Sequence, residues 1–276
     1  PISIHTKERL DTHMLVEDFM LLANREVAQY MHEKAEKEIP FVYRVHDVPD
    51  EEKLKEYAIF LKELGFNFDY QSPRKIKESF DRLSTVANED EVLSFAEPFA
   101  VRTMAKAVYT TENIGHFGLG FEYYTHFTSP IRRYADVLVH RILEQNLQQV
   151  YREKKGVLEQ QCKHISNQEK KAQEAERESI KFKQVEYISD HIGEVFNGII
   201  SGMIDRGFFV ALEHTQIEGM VGFDTMNEAY TVADNRMQAH AHRSKKTLKI
   251  GEKVKVRVLA ARIDDMEVDM VLAEDH

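Results

Sequence analysis

Apolar residues recur at helical spacing through the first part of the chain and at strand spacing through the last part. Leu15, Phe19, Leu22, Val27 and Met31 trace an approximate apolar stripe that predicts a helix over 12–37. Asp11 stands where a cap is needed, and Glu17 and Asp18 suit the early turns. Residues 39–45 read as a short strand and 50–64 as a helix stopped by Gly65. Ser72-Pro73 opens another helix, and 91–108 reads as a longer one with a kink at Pro98. Ser129-Pro130 predicts a helix running to about 151, and a highly charged helix follows over 157–187. Near residue 190 the pattern turns β-like, with candidate strands at 193–201, 207–212, 219–222, 253–260 and 267–272. The expected fold is α+β: a mostly helical part over 1–189, then a small five-stranded β-barrel of the OB type over 190–276.

Composition narrows the functional classes. The chain has 276 residues and a formal net charge of -10. Phosphate contacts need Lys and Arg, so binding of nucleic acid must rest on local basic patches. A single cysteine, Cys162, excludes an internal disulfide and a Cys-pair metal site; it reads as a small buried residue on a helix. With one cysteine a reducing cytoplasmic compartment is expected, and no run approaches the roughly 18 apolar residues of a membrane span, so a membrane partner is not expected. The chain opens on Pro1 in mid-pattern, as expected of an excised fragment.

The stretch Thr128-Ser129-Pro130-Ile131-Arg132-Arg133-Tyr134 carries the clearest chemistry. Thr128 or Ser129 is placed to cap a helix whose free N–H groups favour an anion. Two arginines in such a first turn disfavour the helix itself, which points to phosphate binding. Helical spacing puts Arg132, Asp136 and His140 on one face, so Asp136 would hold Arg132, either to aim it or as an ordinary surface pair. Three close glycines, Gly115, Gly118 and Gly120, suggest tight backbone approach to another segment or a ligand.

The run Tyr124-Thr125-His126-Phe127-Thr128-Ser129-Pro130-Ile131-Arg132-Arg133-Tyr134-Ala135-Asp136 resembles the arginine motif of the RNB exoribonuclease family, in wording closer to ribonuclease R members than to ribonuclease II members. Leu15 to Asn24, Tyr43-Arg44-Val45-His46, then Arg102, Met104, Ala107, Tyr109 and Gly115 to Leu119 resemble other family segments in family order. The resemblance identifies 1–189 as the C-terminal part of the catalytic domain. It implies hydrolysis of single-stranded RNA from the 3′ end to nucleoside 5′-monophosphates, with Mg²⁺ held by an aspartate cluster. By position Arg132 would neutralise charge on the phosphate, with Thr128, Ser129 and Arg133 beside it. Glu17 would touch the terminal nucleotide, unless it or Asp18 is only a solvated helix residue. No Asp-rich loop of the needed spacing occurs here: Asp47 and Asp50 read as turn and cap residues, and Asp264-Asp265 as a hairpin turn. The chain is therefore expected to hold no metal and to be inactive alone, with the longer enzyme monomeric. The other reading is a non-catalytic RNA-binding or regulatory protein on an RNB-like scaffold; a helical interaction protein with an OB module is a third.

Residues 192–222 and 250–256 resemble the OB-type module named after the largest small-subunit ribosomal protein. Such modules stack bases on aromatic rings and follow the backbone with basic side chains. Phe208 and Phe209 must point to opposite faces of a strand; by the motif Phe209 faces RNA, unless both are packed. Arg206 stands where the module often has an aromatic, and Gly222-Phe223 where it often has a histidine, so stacking is expected to be either weaker or shifted to Phe223. Arg243, Lys245, Lys246, Lys249, Lys253, Lys255 and Arg257 supply positive charge. His240 and His242 lack the further ligands of a metal site.

Overall fold

The computed structural model describes residues 1–4, 9–33, 39–87, 90, 93, 96, 99–150, 154–233 and 236–273. Two compact units divide the chain: Glu8–Gln173, and Glu174–His276 together with Pro1–Lys7.

The first unit is helical around one small antiparallel ribbon. Its helices are α1 (Asp11–Glu33), α2 (Glu51–Glu63), α3 (Pro73–Ala87), α4 (Ala100–Thr103), α5 (Tyr134–Leu147) and the first part of α6 (Lys155–Ser189). Strands β1 (Tyr43–Val45) and β2 (Val108–Thr110) pair with Tyr43 opposite Thr110. One core joins Met31 of α1, Phe41 and Val45 around β1, Leu138 and Ile142 of α5, and Leu158 and Cys162 of α6. A second joins Leu54 and Leu61 of α2 to Ile76 and Leu83 of α3. The capping signals hold: Asp50 accepts from Lys53 N at 3.0 Å, Ser72 accepts from Lys75 N at 3.3 Å, and Gly65 takes φ +85° past α2. Cys162 is buried, and burial pushes its thiol up to about 12.

Several expectations need correction. Leu10, not Asp11, occupies the cap position of α1, since its carbonyl accepts from His13 N and Met14 N. The helix is described to Glu33, and 34–38 lie outside the described residues. Of the apolar stripe of α1, Leu15, Phe19 and Leu22 are exposed; the buried residues of the helix are Asn24, Ala28 and Met31. Helix α4 ends at Thr103 because Met104 is extended (φ -74°, ψ 141°), and the β-prone Val-Tyr-Thr that follows pairs with β1 instead of continuing a helix. Pro98 lies outside the described residues.

Helix α5 begins at Tyr134, not Ser129. Arg132 N and Arg133 N both donate to Ser129 O, at 3.3 and 3.1 Å, which makes 129–133 a tight turn. Proline suits the second position of such a turn as well as the first position of a helix, so the sequence signal was ambiguous. Arg133 is then extended (φ -128°, ψ 117°) and offers no side-chain cap.

The second unit holds a closed barrel of β3 (Val195–Ile204), β4 (Gly207–Leu212), β5 (Glu218–Gly222), β9 (Lys253–Arg262) and β10 (Glu267–Leu272), in the order β10-β5-β4-β3-β9. All five strands correspond to expected ones. Alternation buries Ile200, Phe208, Val210, Val256, Val258 and Met270, with Ile188 at the end of α6 closing the core. Not foreseen is a three-stranded sheet of β6 (Tyr230–Val232), β7 (Gln238–Ala241) and β8 (Thr247–Lys249) between β5 and β9. Its strands are only three or four residues long, too short to show a clear period.

Candidate RNA-binding and catalytic site

The turn at 129–133 is held from three sides. Asp136, fully buried, accepts from Arg133 Nε at 2.9 Å and Arg133 Nη2 at 2.8 Å, and from Ser129 N at 2.7 Å. Its two oxygens thus satisfy a fork of two parallel donors and a backbone amide at once. Asn24 of α1, also buried, accepts through Oδ1 from Phe127 N (2.9 Å) and Thr128 N (3.2 Å) and donates through Nδ2 to Tyr124 OH (3.1 Å). His140 of α5 donates through Nε2 to Phe127 O at 2.8 Å while its ring stacks on Phe127, centroids 4.2 Å apart. Thr125 Oγ1 donates to Val42 O at 2.6 Å and ties the segment to the β1 region.

Beneath the turn, Tyr109 OH and His126 Nδ1 lie 2.7 Å apart. Burial, then the Arg133 and Arg44 guanidinium charges, press the His126 pKa down to about 2, so the imidazole is neutral. Burial likewise pushes Tyr109 up to about 12. Arg44 grips Glu169 of α6 at 2.6 and 3.1 Å and lies 4.5 Å over the Tyr109 ring.

These supports shape an open pocket of about 200 Å³ lined by Glu17, Met20, Leu21, Asn24, Tyr124, Thr128, Ser129, Arg132 and Arg133. It gathers the sequence-predicted residues Glu17, Thr128, Ser129, Arg132 and Arg133. Asp18 does not line it. The pairing differs from expectation: Asp136 holds Arg133, not Arg132, because the helix starts at Tyr134 and the turn swings Arg132 away. Arg132 is exposed and makes no side-chain hydrogen bond or ion pair among the described residues. Glu17 is exposed and ion-paired with Arg9.

The glycine-rich segment serves chain packing. Gly115 takes φ +79°, and a Cβ there would lie 3.2 Å from Phe121 O. Gly118 N donates to His46 Nδ1 at 3.2 Å, and His46 stacks on His116 with centroids 5.1 Å apart. Burial, with His46 and Arg44 nearby, lowers the His116 pKa to about 4.

On the barrel, Phe208 is buried and Phe209 is half-buried on the outer face, opposite Met220 of β5 and Gly202 of β3. Strand β9 pairs with β3 so that Lys253 lies opposite Ile199 and Lys255 opposite Asn197, and both lysines are exposed. Arg206 is exposed at the β3–β4 turn. Phe223, half-buried, stacks on Tyr230 (5.3 Å, 11°) and packs beside Phe208 at 6.0 Å. His240 and His242 each bond a threonine, Thr247 at 3.1 Å and Thr231 at 2.7 Å. Among the described residues no group of three or more His, Cys, Asp or Glu is arranged to hold a metal ion.

The RNB domain family matches residues 1–149 and the S1 RNA binding domain family residues 189–270. The chain belongs to the RNB family. Its RNB relatives include ribonuclease R of Aquifex aeolicus, 37% identical over 99% of this chain and 39% of the relative. Ribonuclease R of Escherichia coli K12 is 32% identical over 98% of this chain and 34% of the relative. The chain thus spans well under half the length of these relatives. Among solved structures, the apo form of Mycoplasma genitalium RNase R superposes with TM-score 0.84 at 24% identity, covering 97% of this chain and 42% of that one. Yeast Ssd1, described as a pseudonuclease, gives 0.66 at 22% identity over 85% of this chain and 30% of that one. At these identities the structures show a shared fold.

Sequence reasoning found the RNB arginine turn but missed what holds it. Asn24 had a visible signal: an Asn inside an otherwise good helix forgoes propensity, which tertiary hydrogen bonds must offset. The Tyr109–His126 bond had none, because the partners meet only after β2 and the turn are folded.

Proposed function

We propose that this chain is the phosphate-clamping and RNA-gripping part of a processive 3′-to-5′ exoribonuclease that releases nucleoside 5′-monophosphates. The observation that carries this is Arg132: a guanidinium without an ion pair, in a pocket whose other arginine is locked by a buried aspartate. A cation left unpaired in an acidic chain is available to an anion, and the fixed turn means little reorganisation when the phosphate arrives. Arg132 takes the charge that builds on the phosphate oxygens. Thr128 and Ser129 border the same phosphate, and Glu17 accepts from a hydroxyl of the terminal ribose after releasing Arg9. On the barrel, Phe209 stacks a base while Lys253 and Lys255 follow the backbone.

The described residues do not fit a magnesium site. In this reading Mg²⁺ belongs to carboxylates outside this chain, and no step here runs through it. RNB relatives more than twice as long leave room for those ligands.

A second reading, a non-catalytic RNA binder on an RNB scaffold, is favoured by the likeness to a pseudonuclease. A time course of the chain with 5′-labelled single-stranded RNA, with and without Mg²⁺, tests the account. The expected result is a shifted band with no shortening. Shortening from the 3′ end that needs Mg²⁺ would place a metal site within this chain and overturn the division of labour. The same assay on a full-length enzyme carrying this segment separates the two readings, since only the first expects Mg²⁺-dependent shortening there.

A further inference from the structure

The small sheet β6–β8 gives the second unit a surface that the barrel alone lacks. Ala239 and Leu248 are fully buried against the barrel core, and Tyr230 is stacked on Phe223, so one face of the sheet is anchored. Alternation then turns Thr231, His240 and Thr247, which lie in register across the three strands, to the other face. The β7–β8 connection carries Arg243, Lys245 and Lys246, all exposed.

The tip is built to a fixed shape. Glu228 accepts from Arg243 N and Ser244 N, both at 2.9 Å, and from Ser244 Oγ. Ser244 Oγ in turn accepts from Lys246 N at 3.2 Å, and Lys245 takes φ +59°. The nearby carboxylate is thus engaged mainly with the loop's own amides and hydroxyl. Arg243, Lys245 and Lys246 make no side-chain hydrogen bond or ion pair among the described residues. They differ in this from Arg25, Arg44, Arg74, Arg133 and Arg262, which each sit on a carboxylate, and resemble Arg132. Residues 229–251 hold five Lys and Arg against one Asp, in a chain whose net charge is -10.

We infer that the β7–β8 hairpin tip is a second RNA contact, a phosphate-binding arm distinct from the outer barrel face that carries Phe209. Its ligand is the sugar-phosphate backbone of a single strand: the tip offers three cations, Tyr230 is turned inward, and the exposed His240 and His242 rings are each bonded to a threonine. The inference rests on the RNA-binding reading above. It adds that the strand leaves the stacking face and crosses the inserted sheet.

The test measures affinity of the whole chain for single-stranded RNA against salt concentration. The variant is Arg243→Gln/Lys245→Asn/Lys246→Gln, with Asn chosen because it tolerates positive φ. Each phosphate contact on a single strand contributes about 0.7 to the slope of log K against log salt. Three lost cations should lower the slope by about 2, with affinity roughly a hundredfold weaker at 0.1 M salt and converging near 1 M. A charge-retaining variant, Arg243→Lys/Lys246→Arg, should keep the slope and guards against a folding defect. Binding by the unsubstituted chain with an unchanged slope in the neutral variant would overturn the hairpin contact alone. No RNA binding by the unsubstituted chain would overturn the RNA-gripping reading and the hairpin with it.

Discussion

The arginine turn and the outer barrel face are both expected to meet RNA, yet they are built differently. The turn is oriented by buried polar groups: Asp136 and Asn24 spend their side chains on the backbone and guanidinium of residues 127–133. The barrel face is oriented by strand alternation; Phe209 faces outward because Phe208 faces inward. A guanidinium that must meet one phosphate oxygen needs its position fixed. A ring that stacks any base needs only to be exposed. Damage beneath the turn should therefore be felt in stability and chemistry, and damage on the barrel face in affinity alone.

The largest expected effect lies under the turn. Asp136→Ala strands the Arg133 charge and the Ser129 amide in a buried setting, and breaking such a pair costs about 3–5 kcal/mol. Urea denaturation should show the midpoint falling accordingly. A loss below about 1 kcal/mol, the level of an exposed pair, would mean that the turn is not braced by this carboxylate. Close behind, Arg132→Ala in a full-length enzyme carrying this segment should leave the fold and RNA binding intact. Turnover should drop by roughly 10²–10³, the usual cost of one preorganised donor. Turnover within a few-fold of the original would remove Arg132 from the chemistry.

The same contrast explains what the sequence revealed. Barrel strands were legible because alternation and glycine punctuation are local, and all five expected strands formed. Pocket membership was legible through the family motif, which placed Glu17, Thr128, Ser129, Arg132 and Arg133 together. The pairing inside the motif was not. Helical spacing joined Arg132 to Asp136, but a five-residue turn before the helix gave Asp136 to Arg133. Leu15, Phe19 and Leu22 helped to predict the helix but not its environment: an apolar stripe reports that a face is sticky, not that anything in this chain covers it. The Phe223–Tyr230 stack was not legible, because Tyr230 belongs to a sheet too short to anticipate.

A smaller effect tests the barrel side. Phe209→Ala should weaken single-strand affinity by about 1–3 kcal/mol and leave the unfolding midpoint nearly unchanged. A large loss of stability would show that Phe209 is a packing residue, and the contrast between the two regions would lose its second half.

The smallest effect, over a single pH unit, separates the two units by acid sensitivity. His126 and His116, both in the unit of the turn, have folded pKa values pressed down to about 2 and about 4. An unfolded histidine takes up its proton near 6.5. Between those values the unfolded chain binds more protons than the folded one, so stability is full above about 6.5 and falls as pH drops below it. One proton per site limits the change to about 1.4 kcal/mol per pH unit for each histidine. In the other unit, hydrogen bonds from Lys183 and Ser244 lower the Glu186 and Glu228 pKa values. Depressed carboxylates keep their contribution above the ordinary carboxylate range and lose it only as pH falls below about 4.5. Hydrogen exchange corrected for intrinsic rates should therefore show protection around β1 and α5 weakening from pH 6.5 to 5.5, while the barrel amides hold until lower pH. Equal loss in both units over that interval would mean that the neutral histidines under the turn do not set its acid limit; His126→Gln, which removes the proton uptake, would then leave the profile unchanged.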